Sequence, residues 1–257
     1  MGQDGQIAHP QGVIVVDKVE GLSSMDVVRR LRRGLTRAVG PPREKGAGKR
    51  WKVGHGGTLD PLATGVVVCC VGREATRLVE RLMGLVKVYH TVIDLSAFTE
   101  TDDREGGRRD VAVESAPDSA AIAAAIEQLT GTIEQVPPDY SAVHVDGQRA
   151  YQLARAGRAA AMEPRPVRID RLEMLSYTWP ELTLRITCGR GTYIRSIARD
   201  LGRKLGTGGH LLQLRREAVG PFRLEGAVSS ERLAEGVSPL DLIGVDEAST
   251  MIESCKG

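Results

Sequence analysis

The sequence predicts an α+β fold, with a central, mostly antiparallel sheet flanked by helices and loops. Three observations predict it. Short β-branched runs, Val13–Val16 and Val66–Val71, read as buried strands. Leu182–Cys188 alternates strictly, with Leu182, Leu184, Ile186 and Cys188 on one face and Thr183, Arg185 and Thr187 on the other. One dry and one wet face is the habit of an antiparallel sheet. The remaining strands and helices follow no repeating βαβ rhythm, and no internal repeat is present.

In chain order, Val13–Val16 is the first strand. Ser23 or Ser24 caps a helix through about Leu35, with Val27, Val28 and Leu31 on its apolar side. Gly40–Gly48, rich in glycine, proline and charge, is a loop. Gly54–Gly65 is a second glycine-rich loop and leads directly into Val66–Val71. Arg73–Leu82 reads as helix, Lys87–Leu95 as strand, and Glu100–Asp110 as an acidic loop. Ser119–Leu129 is an alanine-rich helix with Gly131 as its stop. An irregular stretch opens at Pro137-Pro138, with a short helix near Tyr151–Arg155. Val167–Leu175 and Leu182–Cys188 are strands, and Thr192 caps a helix through about Leu205. After Pro221 a capped helix begins near Ser229-Ser230-Glu231-Arg232, and then the pattern is lost.

The 257 residues allow one large domain or two small ones. With two Phe and two Trp, the core must be filled by Val, Leu, Ile and Ala. Net charge is only +2, but its distribution is uneven. Arg29–Lys52 carries ten Lys/Arg against one acid, and Arg185–Arg216 eight against one. Asp94–Glu134 reverses this, with ten acids against three bases. Two basic segments brought together by the fold make a positive, nucleic-acid-binding face; separately they are solvated helix faces. Cys69, Cys70, Cys188 and Cys255 form neither a C-x-x-C pair nor a disulfide framework, and read as thiols in a reducing cytoplasm. No signal peptide and no apolar run long enough for a bilayer is evident, so a cytoplasmic protein is expected. No Walker loop, dinucleotide fingerprint, H-E-x-x-H or G-x-S-x-G is present, and the five His lack metal-ligand spacing. The chemistry is therefore expected to need no cofactor and no metal.

The most informative segment is Gly54-His55-Gly56-Gly57-Thr58-Leu59-Asp60-Pro61-Leu62-Ala63-Thr64-Gly65, with four glycines and one carboxylate. Glycines let the backbone approach a ligand closely, and Pro61 biases Asp60 away from helical angles. The strand that follows anchors the loop, a common setting for functional residues. An isolated Asp in such a loop reads first as a turn residue bonding its own backbone. Read whole, the segment closely resembles the catalytic motif of the bacterial tRNA pseudouridine synthase B (TruB) family. Gly12-Val13-Ile14-Val15-Val16-Asp17-Lys18, Lys87-Val88-Tyr89, Val136-Pro137-Pro138-Asp139-Tyr140-Ser141-Ala142 with Gly147 and Tyr151, Gly189-Arg190-Gly191-Thr192-Tyr193-Ile194-Arg195-Ser196, and His210 with Leu214-Arg215-Arg216 resemble further family segments. The resemblance covers about residues 10–222.

That resemblance implies a pseudouridine synthase fold with an RNA-binding cleft. It implies isomerisation of the T-loop uridine at position 55 of tRNA. Asp60 would be the nucleophile, attacking ribose C1′ or uracil C6. Arg195 would be the guanidinium that keeps Asp60 ionised, and Tyr89 would stack on the target base. Lys18 would support the catalytic loop, and His55 would enter the space left by the flipped base. Tyr193 and Leu214 would shape the pocket. The expected partner is the T-arm of tRNA, bound by a monomer. Residues 1–222 would be the catalytic domain, with 131–166 as an RNA-clamping insertion. Residues 223–257 would be a short tail, with the family's usual PUA-type domain absent or vestigial. A guide-RNA-dependent synthase and a non-catalytic tRNA-binding or folding protein are the alternatives. The sequence departs from the family pattern at Asp139, His144 and Gln148 in the clamping segment. Its loop from Pro41 to Arg50 is also longer, adding Arg43, Lys45, Lys49 and Arg50.

Overall fold

The computed structural model describes residues 10–42, 50–141, 143–145, 147–156 and 162–256. Arg43, Lys45, Lys49 and Ala142, all singled out in the sequence, lie outside the described residues. The fold mixes helices with mostly antiparallel strands. It divides into two compact units, residues 1–85 with 216–257, and residues 86–215.

In the first unit, Gly12–Lys18 pairs antiparallel with Thr64–Val71 along its whole length, from Gly12 opposite Val71 to Lys18 opposite Gly65. Val53–His55 also pairs with Thr64–Val71, setting His55 opposite Cys69. The sequence TGVVVCCV explains the burial: an unbroken apolar run suits a strand covered on both faces. The first helix, Ser24–Val39, is capped by Ser23, which accepts from the Asp26 N–H while the Asp26 carboxylate accepts from the Ser23 N–H. Val27, Val28, Leu31 and Leu35 are buried, and the helix continues one turn past the expected Leu35.

Much of the basic run on this helix is structural. Arg32 donates to the carbonyls of Trp51 and Val53, Arg30 to that of Ser230, and Arg37 to that of Ala234. The last segment is also integral to the unit. Val228–Ser229 runs parallel to Gly12–Lys18, and Val13 and Ile243 exchange backbone hydrogen bonds of 2.8 Å. The helix Val245–Glu253, where the sequence pattern was expected to fade, places Ala248 and Ile252 in a core with Val13, Val66, Leu82 and Phe222. Two deep apolar positions in nine residues give too weak a period to read from sequence.

In the second unit, four antiparallel strands lie in the order Lys87–Asp94, Glu181–Cys188, Arg165–Thr178, Gly131–Gln135. Leu182, Leu184, Ile186 and Cys188 are all buried, as their alternation predicts. Gly131 does not stop the preceding helix; it opens a strand, at φ 97°. Thr192 does not cap the helix Ile194–Leu205. Tyr193 holds that position and the Thr192 hydroxyl donates to Gly189 instead. Part of the acidic loop is a hairpin, Ala97–Thr99 with Arg108–Asp110, and Arg108 bridges Asp94 and Asp110.

Within this loop Asp102 sits at φ 58° with its carboxylate buried against Arg199 at 2.8 Å. Arg199 also donates to the carbonyl of Val136 and to Asp200. Burial pushes the Asp102 carboxyl up to about 6, against the pull of Arg199 and Arg195.

Two outcomes are expected. Ile252→Ala should cost about 2–5 kcal/mol in chemical denaturation. Leu240→Ala, at a side chain 94% exposed, should cost almost nothing. A folded-state value above the ordinary carboxylate value favours folding at low pH, and that contribution disappears as pH rises through about 6. Wild type should therefore lose stability relative to Asp102→Asn between about pH 4 and 6, by at most about 3 kcal/mol. A pH-independent difference between the two would refute the assignment.

Candidate active site

The Asp60 loop is built by satisfying its backbone. Five successive carbonyls, from Gly57 to Pro61, each have a donor. Arg216 Nη2 binds Gly57 O at 3.1 Å and Nη1 binds Thr58 O at 3.2 Å. The Ser24 hydroxyl binds Leu59 O at 3.1 Å and accepts the Leu59 N–H at 2.8 Å. Asp60 O accepts the Ala63 N–H at 3.1 Å, and Pro61 O accepts from Lys18 Nζ and from the Gly21 N–H. Leu59, Leu62 and Ala63 are buried, which pins the loop on both sides of the half-buried Asp60. The turn is made by the backbone carbonyl of Asp60.

Two glycines are required by geometry. Gly57 takes φ 139°, which L side chains rarely adopt. Gly65, at φ 102°, lies so close to the next segment that a Cβ would stand 2.2 Å from Arg216 O.

Lys18 is fully buried, and its ammonium also donates to Val19 O and Leu22 O, at 3.1 and 2.7 Å. Burial lowers its pKa to about 8, with the negative charge of Asp60 opposing and the positive charge of Arg216 adding to the shift. At neutral pH it remains protonated. His55, half-buried at the end of its strand, is held below the ordinary imidazole value by burial and then by Arg216. A neutral ring at physiological pH follows.

In the second unit, Tyr89 is buried on its strand opposite Ile186. Arg195 is buried on the first turn of the helix Ile194–Leu205. It donates to the carbonyls of Thr101 and Tyr140, at 3.1 and 3.0 Å, and its Nε lies 3.8 Å from Asp103. The backbone of Tyr193 is clasped by Gln135, whose Oε1 accepts the Tyr193 N–H at 2.8 Å and whose Nε2 donates to Tyr193 O at 3.2 Å. Ser196 and Arg199 both donate to Val136 O. One end of this helix thus fastens the base of the Val136–Ser141 segment. Leu214 is buried on the strand His210–Val219, an element not anticipated from the sequence.

Of the residues singled out by sequence, Lys18, His55 and Asp60 belong to the first unit; Tyr89, Tyr193, Arg195 and Leu214 belong to the second. Sequence reasoning missed Ser24 and the role of Arg216. The available signal was alternation, since Leu214, Arg216 and Ala218 are buried at every second position of a strand. Among the described residues, no group of three or more His, Cys, Asp or Glu is placed to hold a metal. No helix among them is long and apolar enough to cross a membrane.

Known proteins resemble this chain over most of its length. Residues 45–194 match the model of the TruB family pseudouridylate synthase N-terminal domain. Residues 195–241 match that of the tRNA pseudouridylate synthase B C-terminal domain. The chain is 46% identical over 226 residues to a tRNA pseudouridine synthase B of Rhodospirillum rubrum, covering 88% of this chain and 68% of the relative. It is 45% identical over 231 residues to that of Thermobifida fusca, covering 87% and 74%. Among solved structures, it superposes on a chain of a Cbf5-Nop10-Gar1 complex with TM-score 0.67 at 24% identity, covering 95% of this chain and 63% of that one. An archaeal box H/ACA sRNP Nop10-Cbf5 complex gives TM-score 0.59 at 26% identity, covering 88% and 54%. The likeness to the first complex is one of fold. With both family models matched in succession and these relatives covered over more than two thirds of their length, the chain belongs to the TruB family of pseudouridylate synthases.

Proposed function

We propose that the chain converts the T-loop uridine at position 55 of tRNA to pseudouridine, with Asp60 as nucleophile. Family membership carries the coarser statement, that the enzyme is a tRNA pseudouridine synthase. The observation that best supports Asp60 is the run of bonded carbonyls around it. Its neighbours' carbonyls are held by Arg216, Ser24 and Lys18, so the single carboxylate of the loop is carried on a fixed support.

The reaction is an isomerisation and balances without a co-reactant. The N1–C1′ bond breaks, the uracil turns, and C5 bonds to C1′. The hydrogen on C5 leaves to water as a proton, and N1, freed from C1′, takes one up. Asp60 attacks ribose C1′ or uracil C6 and is released when the new bond forms. On the family pattern, Arg195 is the guanidinium that favours the ionised carboxylate, and Tyr89 stacks on the base. His55 occupies the gap left by the flipped nucleotide, for which a neutral ring is suited. Tyr193 and Leu214 shape the pocket. Residues 131–166 act as the clamp on the RNA. The protein works as a cytoplasmic monomer.

The test uses tRNA tritiated at uridine C5, with neither metal nor nucleotide added. Wild type should release tritium into water and Asp60→Asn should lose at least about a thousandfold in rate. Release by both proteins would remove Asp60 from the mechanism. No release by wild type would move the reading to a guided or non-catalytic RNA-binding protein. Binding of the same tRNA should weaken steeply between about 50 and 200 mM salt, because phosphate contacts release counterions. A salt-independent affinity would contradict recognition through the phosphate backbone.

A further inference from the structure

We propose that Arg216 is a positioning residue for the uridine isomerisation, acting through the backbone of the Asp60 loop. The inference rests on the reading of Asp60 as nucleophile and adds a residue to it.

Arg216 is 1% exposed and is among the largest fully buried side chains of the chain. Its Nε donates to Val66 O at 2.7 Å, and its two terminal nitrogens reach Thr58 O and Gly57 O. One planar group therefore joins the start of the loop to the strand that follows it. A rigid fork with five N–H donors serves three separated acceptors in one plane; a lysine ammonium on a flexible stem does not. The main chain of Arg216 reinforces the link, because Gly65 is packed directly against its backbone. The arginine thus fixes both ends of the span that carries Asp60.

Energetics favour a functional reading over a purely structural one. These three acceptors are neutral carbonyls. Burying a guanidinium against neutral acceptors recovers less of its hydration than pairing it with a carboxylate. An apolar side chain would fill the same volume without that cost, but would leave Gly57 O, Thr58 O and Val66 O without this donor. What the cation supplies is a defined loop geometry and a positive charge beneath it. A displacement of about 1 Å at the reacting carboxylate is enough to lower a rate by about a hundredfold.

The experiment compares Arg216→Lys and Arg216→Met with wild type under single-turnover conditions, with enzyme in excess over C5-tritiated tRNA. Filter binding of the same tRNA and thermal melting run alongside. Arg216→Lys should slow tritium release about tenfold and Arg216→Met at least about a hundredfold, with tRNA Kd within about threefold of wild type for both. Partial rescue by lysine, at unchanged affinity, is the pattern a general loss of structure would not give. A wild-type rate in Arg216→Lys would overturn the proposal, as would loss of rate and affinity in equal proportion in Arg216→Met. Should Arg216→Met fail to fold, the rate of Arg216→Lys decides alone. Wild type and Asp60→Asn in the same assay report on the underlying reading. An active wild type with an inactive Asp60→Asn, beside unimpaired Arg216 variants, refutes this inference and leaves that reading intact.

Discussion

The first unit depends on one constraint: a loop that carries a half-buried carboxylate must have its backbone satisfied without the help of regular structure. A buried carbonyl without a donor costs about 1–3 kcal/mol, and here five carbonyls in succession, from Gly57 to Pro61, each have one. The fold answers by sending three side chains, from residues 18–24 and from residue 216, to one place. Lys18 comes from the end of the first strand, Ser24 from the first turn of the first helix, and Arg216 from a strand near the C-terminal end. The antiparallel register sets Lys18 opposite Gly65, at the foot of the loop. Slipping that register by one residue would turn Lys18 out of the core and leave Pro61 with one donor fewer.

The second unit solves a related problem by different means. Its irregular stretches, the acidic loop and the segment after Gln135, converge on one end of the helix Ile194–Leu205. Arg195, Ser196 and Arg199 lie within two turns and donate to carbonyls of Thr101, Val136 and Tyr140, while Gln135 clasps the Tyr193 backbone. Helical spacing puts such residues on neighbouring positions of one surface, so a short piece of sequence organises two loops. Asp102, in the left-handed region and ion-paired to Arg199, shows the local strain that this convergence costs.

Much of this was legible in the sequence where the signal is periodic or local. The alternation at Leu182–Cys188 gave a strand with its buried face correct, and Ser23 with Asp26 gave a helix start. The glycine-rich loop was readable because its residue order is long and specific. What escaped was long-range. Arg216 reads as one more positive charge until the strand His210–Val219 is recognised and its alternation turns that charge inward. The arginines at 30, 32 and 37 counted toward a basic face, yet their hydrogen bonds go to carbonyls of other segments. A charge run shows composition; which charges are taken up by the backbone depends on partners up to 200 positions away.

The first unit is also discontinuous in sequence. Gly12–Lys18 completes its pairing with Val228–Ser229, and Val13 bonds Ile243, while the segment between, residues 86–215, forms the other unit. During synthesis the middle of the chain is therefore made before the first unit has all its segments. A nascent chain up to residue 215 holds the Asp60 loop but lacks the guanidinium that braces it. Completion of the N-terminal strand's pairing therefore has to wait for the C-terminal segment. The ribosome delivers the Asp60 loop early, and the hydrogen bonds from Arg216 to that loop can form only when the C-terminal segment has emerged.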